Sequence, residues 1–434
     1  MKKNAIILAA GKSNRFAPFT YEKPKGLFCV KGEILIERQI EQLISAGVDE
    51  IIIVIGYMKE KFFYLEQKYK EVKLIVNNTF ASKGNIYSMY VAREYLKNTY
   101  ICCADHYFIE NPFVDNNSYN KSYRATTYYS KKFREFSIDY SDENVITGFY
   151  VGGSNKMAMV GHAYFNEEFS NRFKYYLESE INDFGVSNMF WEEFYAKHQK
   201  ELTLYAKEYP NNKILEFENI EDLRQFDSEF LLNVDSEIIK NICNTLKCDR
   251  NDIIDIKVIQ AGLTNVSFKF SVKSNQYVYR HPGGTAGKLI DRHTELVAQN
   301  VAKNLGIDTS VIYMDPTGWK ISHYVQNIVD CDFLKNEEQL DIGMEYLRKF
   351  HSADIKDDIK EFDDVLEGKK LMGIASSTKG NLLWEFQEII KKIECLKELV
   401  DNESKKYGFK KVLCHNDVYE PNYIATADKD LYLI

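Results

Sequence analysis

The fold of this chain is decided by a stretch near its start, Asn4-Ala-Ile-Ile-Leu-Ala-Ala-Gly11, followed by Lys12-Ser-Asn-Arg15 and closed by Lys23-Pro24-Lys25. The apolar run before Gly11 is short and ends at a glycine, which predicts a buried strand. The loop after it combines small and cationic residues. Glycine leaves room for anionic oxygens, and free backbone N–H groups can point at them. We therefore predict a strand followed by a triphosphate-binding loop, to which Arg15 and Lys25 add positive charge.

Length and composition indicate a globular protein with more than one domain. The chain has 434 residues, of which 45% are hydrophobic and 28% are charged, and these proportions are ordinary for such proteins. No apolar stretch approaches the ~18 residues of a membrane helix. A net charge of −8 argues against a broad nucleic-acid surface. Eight cysteines without a C-x-x-C pair favour reduced thiols. We therefore expect a cytoplasmic protein with no membrane insertion and no nucleic-acid partner.

The first part of the chain alternates strands with helices. Apolar runs at 51–55, 72–76 and 100–104 predict strands, whereas helical periodicity predicts helices between them. This alternation is typical of a doubly wound α/β fold, here with a mixed sheet, whose ligand lies at the carboxyl ends of the strands. Gly11 and Asp105 both follow such ends, so we expect them to converge on one site.

Acidic residues at two places predict a metal site. Asp105 ends an apolar strand, a common position for a Mg²⁺ ligand in enzymes that handle phosphates. Glu216 and Glu218 offer two further carboxylates on one face of a predicted strand. The alternatives are that Asp105 begins an ordinary turn and that the charges of 216–227 belong to a solvated helix start.

The segment 78–88 carries candidate nucleotide ligands. Asn85-Ile-Tyr-Ser88 stands at a predicted helix start, where Asn85 and Ser88 can either cap the helix or read a nucleobase. Asn78 opens the same segment and is a third candidate. The residues alone leave the capping and recognition roles equally open.

Together these motifs resemble those of the bacterial CTP:phosphocholine cytidylyltransferases, a branch of the nucleotidyltransferases that make sugar nucleotides and CDP-alcohols. The resemblance covers the predicted domain 1–229 through L-A-A-G-x-S-x-R, K-P-K, N-I-Y-S, the strand-end aspartate and the late acidic pair. It implies that Asp105 and Glu218 bind a metal with Glu216 close by, and that Lys25 binds phosphate. Glu218 departs from the family pattern, which has an aspartate there. The implied nucleotide ligands are Leu8, Ala9, Ala10, Gly11, Lys12, Asn78, Asn85 and Ser88.

The resemblance also implies an activity. The phosphate of phosphocholine is already an anionic nucleophile, so it can attack the α-phosphorus of CTP in line without a general base, and pyrophosphate leaves. Mg²⁺, Lys25 and Arg15 would stabilise the charge that grows on the phosphates. The expected product is CDP-choline.

Aromatic residues predict the site for the alcohol end of the acceptor. A trimethylammonium group has no hydrogen to donate, so aromatic faces and a nearby carboxylate recognise it. Trp191 and Tyr195 lie on one face of a predicted helix, Glu192 of the same stretch supplies a carboxylate, and Tyr164 is another candidate wall. Core packing is the alternative for these aromatic residues.

Other acceptors also stay open: 2-aminoethylphosphonate, phosphoethanolamine or a sugar 1-phosphate. So does a scaffold protein that binds nucleotide without turnover.

The second part of the chain, 230–434, carries a different motif. His415-Asn-Asp417, followed by Asn422, has the H-x-D-x-x-x-x-N spacing of a kinase catalytic loop. In that loop the aspartate orients the substrate hydroxyl and the asparagine reaches Mg²⁺.

Further residues of this part could bind the phosphates of ATP. Gly262, Thr264 and Asn265 form a turn that would cover them, and Arg280 with Glu295 would replace the usual Lys–Glu pair. With the catalytic loop, these motifs resemble bacterial choline kinases of the aminoglycoside-phosphotransferase-like group. The resemblance implies a protein-kinase-like α+β domain with ATP and choline as substrates.

We expect this kinase-like part to be incomplete. In the family, the pattern continues to a strand that ends in a metal-binding acidic residue, and then to a helical region with much of the alcohol site. Here the final strand, 430–434, stops where the acidic residue is due. Kinase activity is therefore expected to be weak or absent. A complete kinase would supply phosphocholine to the first domain at a raised local concentration.

Overall fold

The computed structural model describes residues 3–114, 121–259, 265–283, 290–379 and 386–434. The chain divides into two units, Met1–Lys240 and Asn241–Ile434, which we call unit 1 and unit 2. The division lies inside the helix Glu237–Leu246, after the change of motif that the sequence shows near residue 230. Within the described ranges, none of the helices combines the length and apolar character that crossing a bilayer requires.

Unit 1 contains one large mixed sheet with helices on both faces. Its strands are β1 (Asn4–Ala9), β2 (Cys29–Val30), β3 (Glu33–Ile34), β4 (Ile51–Ile55), β5 (Val72–Val76), β6 (Thr99–Cys103), β7 (His106–Phe108), β8 (Tyr123–Tyr129), β9 (Phe133–Tyr140), β10 (Ile146–Gly153), β11 (Lys156–Phe165), β12 (Tyr205–Glu208) and β13 (Ile214–Glu216). Its helices are α1 (Leu35–Ser45), α2 (Tyr64–Lys68), α3 (Asn85–Val91), α4 (Glu167–Glu180), α5 (Phe184–Ser187), α6 (Trp191–Lys197), α7 (Ile220–Phe226) and α8 (Phe230–Asn233), and α9 (Glu237–Leu246) spans the division.

The sheet of unit 1 has a parallel centre and antiparallel additions. Its order is β10-β9-β11-β6-β1-β4-β5, and β8 pairs with both β11 and β12. Strands β6, β1, β4 and β5 run parallel to one another, whereas β11 is antiparallel to β6. The predicted α/β fold with a mixed sheet is therefore confirmed.

The central strands are continuous apolar runs, because both faces of the sheet are buried in hydrophobic cores. Every residue of Ile51–Ile55 is fully buried. Successive side chains of a strand point to opposite faces, so Ile53 joins one core cluster and its neighbours Ile52 and Val54 join the other. Two cores of this kind hold a doubly wound sheet rigid from both sides.

The topology brings distant segments to one edge of the sheet. Because β1, β5 and β6 are parallel, their carboxyl ends lie at the same edge, and Gly11, Asn77 and Asp105 follow those ends. The later strand β13 pairs antiparallel with β7 and places Glu216 opposite His106. This pairing delivers the late acidic segment to the strand-end aspartate.

Unit 2 is an α+β assembly. Its strands are β14 (Ile253–Ile259), β15 (Asn265–Val272), β16 (Asn275–Pro282), β17 (Val311–Met314), β18 (Lys320–His323), β19 (Ile328–Val329), β20 (Tyr423–Thr426) and β21 (Leu431–Leu433). Its further helices are α10 (Arg292–Asn304), α11 (Glu337–His351), α12 (Asp364–Lys379) and α13 (Gln387–Tyr407). One sheet has the order β14-β15-β16-β18-β17 and another has the order β19-β20-β21. Both are antiparallel in all these pairings.

A tertiary hydrogen bond lies just after α3. The helix that the sequence predicts to begin at 85–88 ends as α3 at Val91, and Arg93–Tyr95 forms a 3-10 turn. This turn presents the Tyr95 carbonyl to the side chain of Asn4, whose Nδ2 donates to it at 2.7 Å. A helix this short depends on packing more than on its own propagation, so the contact with β1 decides where it ends.

The variant Gly161→Ala tests how closely strand β11 packs against Ile214. Gly161 lies in β11 at a register shift between Met159 and Ala163, with φ +91°, and an added Cβ would lie 2.8 Å from Ile214 Cδ1. We expect Gly161→Ala to lower the free energy of unfolding by about 2–3 kcal/mol, because backbone strain and steric overlap add. Thermal unfolding of the full chain measures the loss.

Gly32→Ala is the matched control for Gly161→Ala. Gly32 also has a positive φ, +83°, but no described atom lies within 4 Å of an added Cβ. Strain alone should then cost about 1 kcal/mol. Equal losses in the two variants would contradict the packing argument.

Candidate active site

The loop after β1 leaves its backbone open toward the carboxyl edge of the sheet. Leu8, Ala9 and Ala10 are buried where the strand ends, and the Ala10 carbonyl accepts a hydrogen bond from Tyr57 N at 3.1 Å. Gly11 is exposed, and no described atom lies within 4 Å of a Cβ added to it. Exposed Lys12 follows. The predicted phosphate loop therefore has a fixed strand end and an accessible glycine.

Lys25 lies at the centre of the site. Its side chain is 5% exposed, and its Nζ donates to Asp105 Oδ2 at 2.9 Å and to the Phe217 carbonyl at 2.7 Å. The same ammonium lies 4.2 Å from the centroid of the Phe16 ring. Three segments that are far apart in the sequence therefore meet at one cation.

Asp105 is held in its ionised form. Burial alone would raise the pKa of this carboxyl, but the charges of Lys25 and His106 lower it to about 2. At neutral pH the site therefore presents a carboxylate next to a buried ammonium, which suits a group that binds a cation and phosphate oxygens together.

The late acidic pair reaches the same place. Glu216 Oε2 lies 3.2 Å from His106 Nε2. Burial opposes ionisation of Glu216, but the nearby His106 outweighs it, so the pKa of this carboxyl lies below its usual range. Glu218 Oε2 lies 3.5 Å from Nη1 of Arg15, whose side chain is 67% exposed. The structure thus brings Arg15, Lys25, Asp105, Glu216 and Glu218 together.

A further carboxylate, Glu135, was not found by sequence reasoning. Burial raises its pKa above the usual range, and the charges of Glu216 and Glu218 raise it further. Glu135 lies on β9, and nothing in its local pattern distinguishes it from a solvated strand residue. Burial is the main cause of this pKa shift, and the neighbouring carboxylates add to it.

These residues fit a divalent cation. Asp105, Glu216 and Glu218 supply the carboxylate oxygens that Mg²⁺ prefers. Such an ion, when bound, lowers the negative charge on phosphate oxygens.

In the segment that was predicted to read the nucleobase, the structure excludes the alternative role of Asn85 as a helix cap. Asn85 does not cap α3, because its Oδ1 accepts the hydrogen bond from Trp191 N at 2.7 Å and so holds the start of α6. Ser88 is buried and its Oγ accepts from Nδ2 of Asn77 at 3.0 Å. Asn78 is exposed. Sequence reasoning missed Asn77, although its place at the end of β5 was a usable signal.

The aromatic residues predicted to wall the alcohol site are core residues. Trp191 is 2% exposed, Tyr195 0% and Tyr164 1%. Trp191 packs edge-on against Phe165, with ring centroids 5.6 Å apart. The structure therefore corrects the predicted wall, and the core-packing alternative describes these three side chains.

Glu192 is also withdrawn from solvent. Its Oε1 lies 3.4 Å from Nη2 of Arg124, and both side chains are almost fully buried. Burial raises the pKa of Glu192 to about 6, against the opposing charge of Arg124. The pair stabilises the interior between β8 and α6 and is not open to an acceptor.

A different aromatic cluster is formed by the half-buried Phe136 and Phe149 and the exposed Phe190. The ring centroids of Phe136 and Phe149 are 4.8 Å apart, and those of Phe136 and Phe190 are 5.9 Å apart. Phe190 is 52% exposed. Sequence reasoning missed this cluster, because its rings come from β9, β10 and the segment before α6, which only the fold brings together.

Backbone hydrogen bonds place this aromatic cluster beside α3. Gly84 N donates to the Ser187 carbonyl at 3.0 Å, and Ile86 N donates to the Met189 carbonyl at 3.3 Å. Phe190 therefore follows directly on a segment that is fixed to the start of α3, the helix that carries Ser88.

Unit 2 brings together two predicted pairs. Arg280 Nη2 lies 2.7 Å from Glu295 Oε1, and Arg292 binds the other carboxylate oxygen at 2.5 Å. Asn422 Nδ2 donates to Asp417 Oδ2 at 3.0 Å and to the Asp417 carbonyl at 2.7 Å. Each predicted partner is thus within contact distance.

The predicted turn of unit 2 falls largely outside the described residues. Gly262 and Thr264 lie outside them. Asn265 begins β15, but its side chain also lies outside the described part.

Several known proteins match this chain over about half of its length. A family model, the MobA-like NTP transferase domain, matches residues 5–127. The 2-aminoethylphosphonate cytidylyltransferase of Lancefieldella rimae is 34% identical over 236 residues, which are 53% of this chain and 94% of the relative. The choline-phosphate cytidylyltransferase of Streptococcus pneumoniae is 31% identical over 237 residues, which are 55% and 98%. This chain belongs to the cytidylyltransferases of the NTP transferase family.

A solved structure agrees with this assignment. The CTP:phosphocholine cytidylyltransferase from Streptococcus pneumoniae matches with a TM-score of 0.50 at 30% identity, over 52% of this chain and 99% of its own. The predicted resemblance of the first domain to the CTP:phosphocholine cytidylyltransferases is confirmed, and so is the nucleotidyltransferase class. The cytidylyltransferase acts on a phosphate-bearing substrate. The kinase-like interpretation of 230–434 stays a prediction.

Lys25→Met tests the central cation of the cytidylyltransferase. The change keeps the length of the side chain and removes its charge, so pyrophosphate release from CTP should fall by at least about tenfold. Some thermal stability should also be lost, because Asp105 keeps its charge without its partner.

Lys68→Met is the matched control for Lys25→Met. Lys68 forms an exposed ion pair with Glu37, at 2.7 Å, and its replacement should leave turnover unchanged. Near-normal turnover of Lys25→Met would remove this ammonium from the mechanism.

Proposed function

We propose that unit 1 transfers the cytidylyl group of CTP to phosphocholine and forms CDP-choline and pyrophosphate. The observation that carries the transfer chemistry is the 2.9 Å contact between Lys25 Nζ and Asp105 Oδ2. It joins a phosphate-binding cation to a metal-binding carboxylate at the edge where the β1 loop opens. The accessible aromatic cluster beside α3 supports phosphocholine as the acceptor.

The protein's part in this reaction is to position the reactants and to stabilise charge. The acceptor phosphate is anionic, so it can attack the α-phosphorus of CTP without a general base. Lys25 would stabilise the charge that grows on the phosphates as pyrophosphate leaves. Arg15 is mostly exposed and contacts Glu218 at 3.5 Å, so it can turn toward the same oxygens.

Mg²⁺ is the cation we propose for this site. Asp105, Glu216 and Glu218 would hold it, and it would reduce the negative charge of the phosphates. Lys25 keeps Asp105 ionised and oriented for that task, since the pKa of this carboxyl is lowered to about 2.

The aromatic cluster suits a quaternary ammonium. Such a group carries charge but no N–H, so it is bound by ring faces instead of by hydrogen bonds. Phe136, Phe149 and Phe190 supply closely spaced rings, and the exposed Phe190 leaves one side open. This cluster takes over the role that the sequence assigned to Trp191, Tyr195 and Tyr164.

A second acceptor, 2-aminoethylphosphonate, is favoured by Glu135. A primary ammonium donates hydrogen bonds and therefore prefers carboxylates to ring faces. Glu135 lies close enough to Glu216 and Glu218 for their charges to raise its pKa, so an ammonium there would relieve their repulsion.

The acceptor is identified by pyrophosphate release with CTP and Mg²⁺, offering phosphocholine, 2-aminoethylphosphonate, phosphoethanolamine and glucose 1-phosphate separately. Turnover with phosphocholine well above the others supports the proposal. Preference for a primary amine keeps the mechanism and moves the acceptor site to Glu135. No turnover with any acceptor would favour a scaffold that binds nucleotide.

Phe190→Ala tests the aromatic cluster. The loss of one ring face should raise KM for phosphocholine by about tenfold. KM for CTP should change little, since we assign Phe190 to the acceptor and not to the nucleotide. Steady-state kinetics with each substrate varied in turn measure both constants.

Phe63→Ala is the matched control for Phe190→Ala. Phe63 is 49% exposed and Phe190 is 52% exposed, so both variants lose a similar amount of exposed ring. Phe63 precedes α2, away from the aromatic cluster, and its variant should behave as the parent protein. An unchanged KM in Phe190→Ala would contradict the aromatic acceptor site.

For unit 2 we infer a choline kinase-like unit that binds ATP. The support is the 2.7 Å Arg280–Glu295 ion pair on an antiparallel sheet and its following helix. The Asp417–Asn422 contact at 3.0 Å adds to it, with the spacing of a kinase catalytic loop.

Calorimetric titration of MgATP into the full chain, with unit 1 saturated by CTP, tests this inference. Arg280→Met should weaken ATP binding by about tenfold, whereas Arg348→Met, a change at a side chain that is 72% exposed, should not. Absence of ATP binding would contradict the inference. Phosphorylation of choline in the same mixture would show an active kinase, and binding without it would indicate a scaffold.

A further inference from the structure

The turn between β6 and β7 carries three different metal-binding side chains. One donor atom each from Cys103, Asp105 and His106 lies within 4.8 Å of the others. Thiolate sulfur, carboxylate oxygen and imidazole nitrogen are together the ligand types that Zn²⁺ accepts. Mg²⁺, by contrast, prefers oxygen ligands to a thiolate or an imidazole. The cluster therefore contains donors that the proposed Mg²⁺ chemistry does not employ.

Hydrogen bonds from a buried amide hold the backbone of this turn in place. Gln39 is fully buried on α1, and its Nε2 donates to the Cys103 carbonyl and to the His106 carbonyl, each at 2.9 Å. Ala104 N donates to the Leu8 carbonyl at 3.1 Å. The three side chains therefore start from a fixed backbone, which lowers the entropy cost of binding an ion.

The imidazole of His106 has an unused nitrogen. Its side chain is 3% exposed, and Nε2 lies 3.2 Å from Glu216 Oε2. Nδ1 is buried and has no hydrogen-bond partner among the described residues. A buried polar atom without a partner costs about 1–3 kcal/mol, so its retention needs an explanation. A carboxylate on one nitrogen and a metal on the other is the usual arrangement of a zinc-binding histidine.

We propose that Cys103, Asp105 and His106 form a binding site for Zn²⁺ or a similar borderline-soft divalent ion, overlapping the Mg²⁺ position at Asp105. Three protein ligands would leave the fourth tetrahedral position to water or phosphate. Lys25 binds Oδ2 of Asp105, and a carboxylate has a second oxygen for an ion. Binding displaces the proton of the Cys103 thiol to solvent, and the thiolate coordinates the ion.

One consequence rests on the proposed function. Because Asp105 would serve both ions, Zn²⁺ would compete with Mg²⁺ and inhibit cytidylyl transfer. Binding of the soft ion itself does not depend on any activity, so the two claims can fail separately.

Cobalt titration of the full chain tests the site directly. Co²⁺ takes the same ligands as Zn²⁺ and gives a thiolate-to-cobalt charge-transfer absorption that Mg²⁺ and Zn²⁺ lack. We expect this absorption to saturate with the site, to disappear on addition of Zn²⁺ and to be lost in Cys103→Ser. His106→Gln should weaken Co²⁺ binding by about tenfold or more. Thermal unfolding verifies that each variant folds.

Cys248→Ser is the control for thiols elsewhere in the chain. Cys243 and Cys248 lie close enough for one thiol to perturb the other, so they are the main competing source of a cobalt–thiolate absorption. The absorption should persist in Cys248→Ser. Its persistence in Cys103→Ser, or its absence from the parent protein, would overturn the proposal.

Zn²⁺ inhibition is the second measurement. Pyrophosphate release at fixed Mg²⁺ should fall as Zn²⁺ is added, recover on chelation of zinc, and be several-fold less sensitive in Cys103→Ser relative to that variant's own rate. Equal sensitivity in both proteins would refute the shared site. If no acceptor gives turnover, the cobalt titration still decides whether the ion binds.

Discussion

The candidate active site depends on one buried ammonium. Lys25 Nζ contacts Asp105 Oδ2 at 2.9 Å and the Phe217 carbonyl at 2.7 Å. Taking charges out of water costs several kcal/mol per ion unless they are paired. Moving either Lys25 or Asp105 away would therefore leave the other as an unpaired buried charge. That constraint holds the loop after β1, the turn after β6 and the segment after β13 in one arrangement, which is the arrangement that phosphate chemistry needs.

The sheet supplies the rigidity around this contact. Parallel strands buried on both faces bring their carboxyl ends to one edge, and the β13–β7 pairing adds Glu216 to it. Gln39 then fixes the turn between β6 and β7 by two hydrogen bonds. Charged groups that are positioned before the substrate arrives do not have to reorganise during the reaction. The same fixed turn presents Cys103 and His106, so the site proposed for a hard cation and the site proposed for a softer cation would share Asp105.

The aromatic cluster that we propose for the acceptor comes from a less regular part of the fold. The two core clusters absorb the aromatic residues that alternate along β11 and line α6, so Tyr164, Trp191 and Tyr195 stabilise the sheet. The accessible rings, Phe136 and Phe190 among them, come from the antiparallel addition and the segment before α6.

The sequence by itself determined the strands of the central sheet, the glycine-containing loop after β1 and the family, because apolar runs, glycines and motif spacing are local properties of the chain. It also pointed to the Arg280–Glu295 contact of unit 2. Only the tertiary structure decided which aromatic side chains are buried, because burial depends on residues that pack from elsewhere in the chain. The contact of His106 with Glu216, 110 positions later, and the part played by Glu135 likewise depend on strand pairing, which no local pattern encodes.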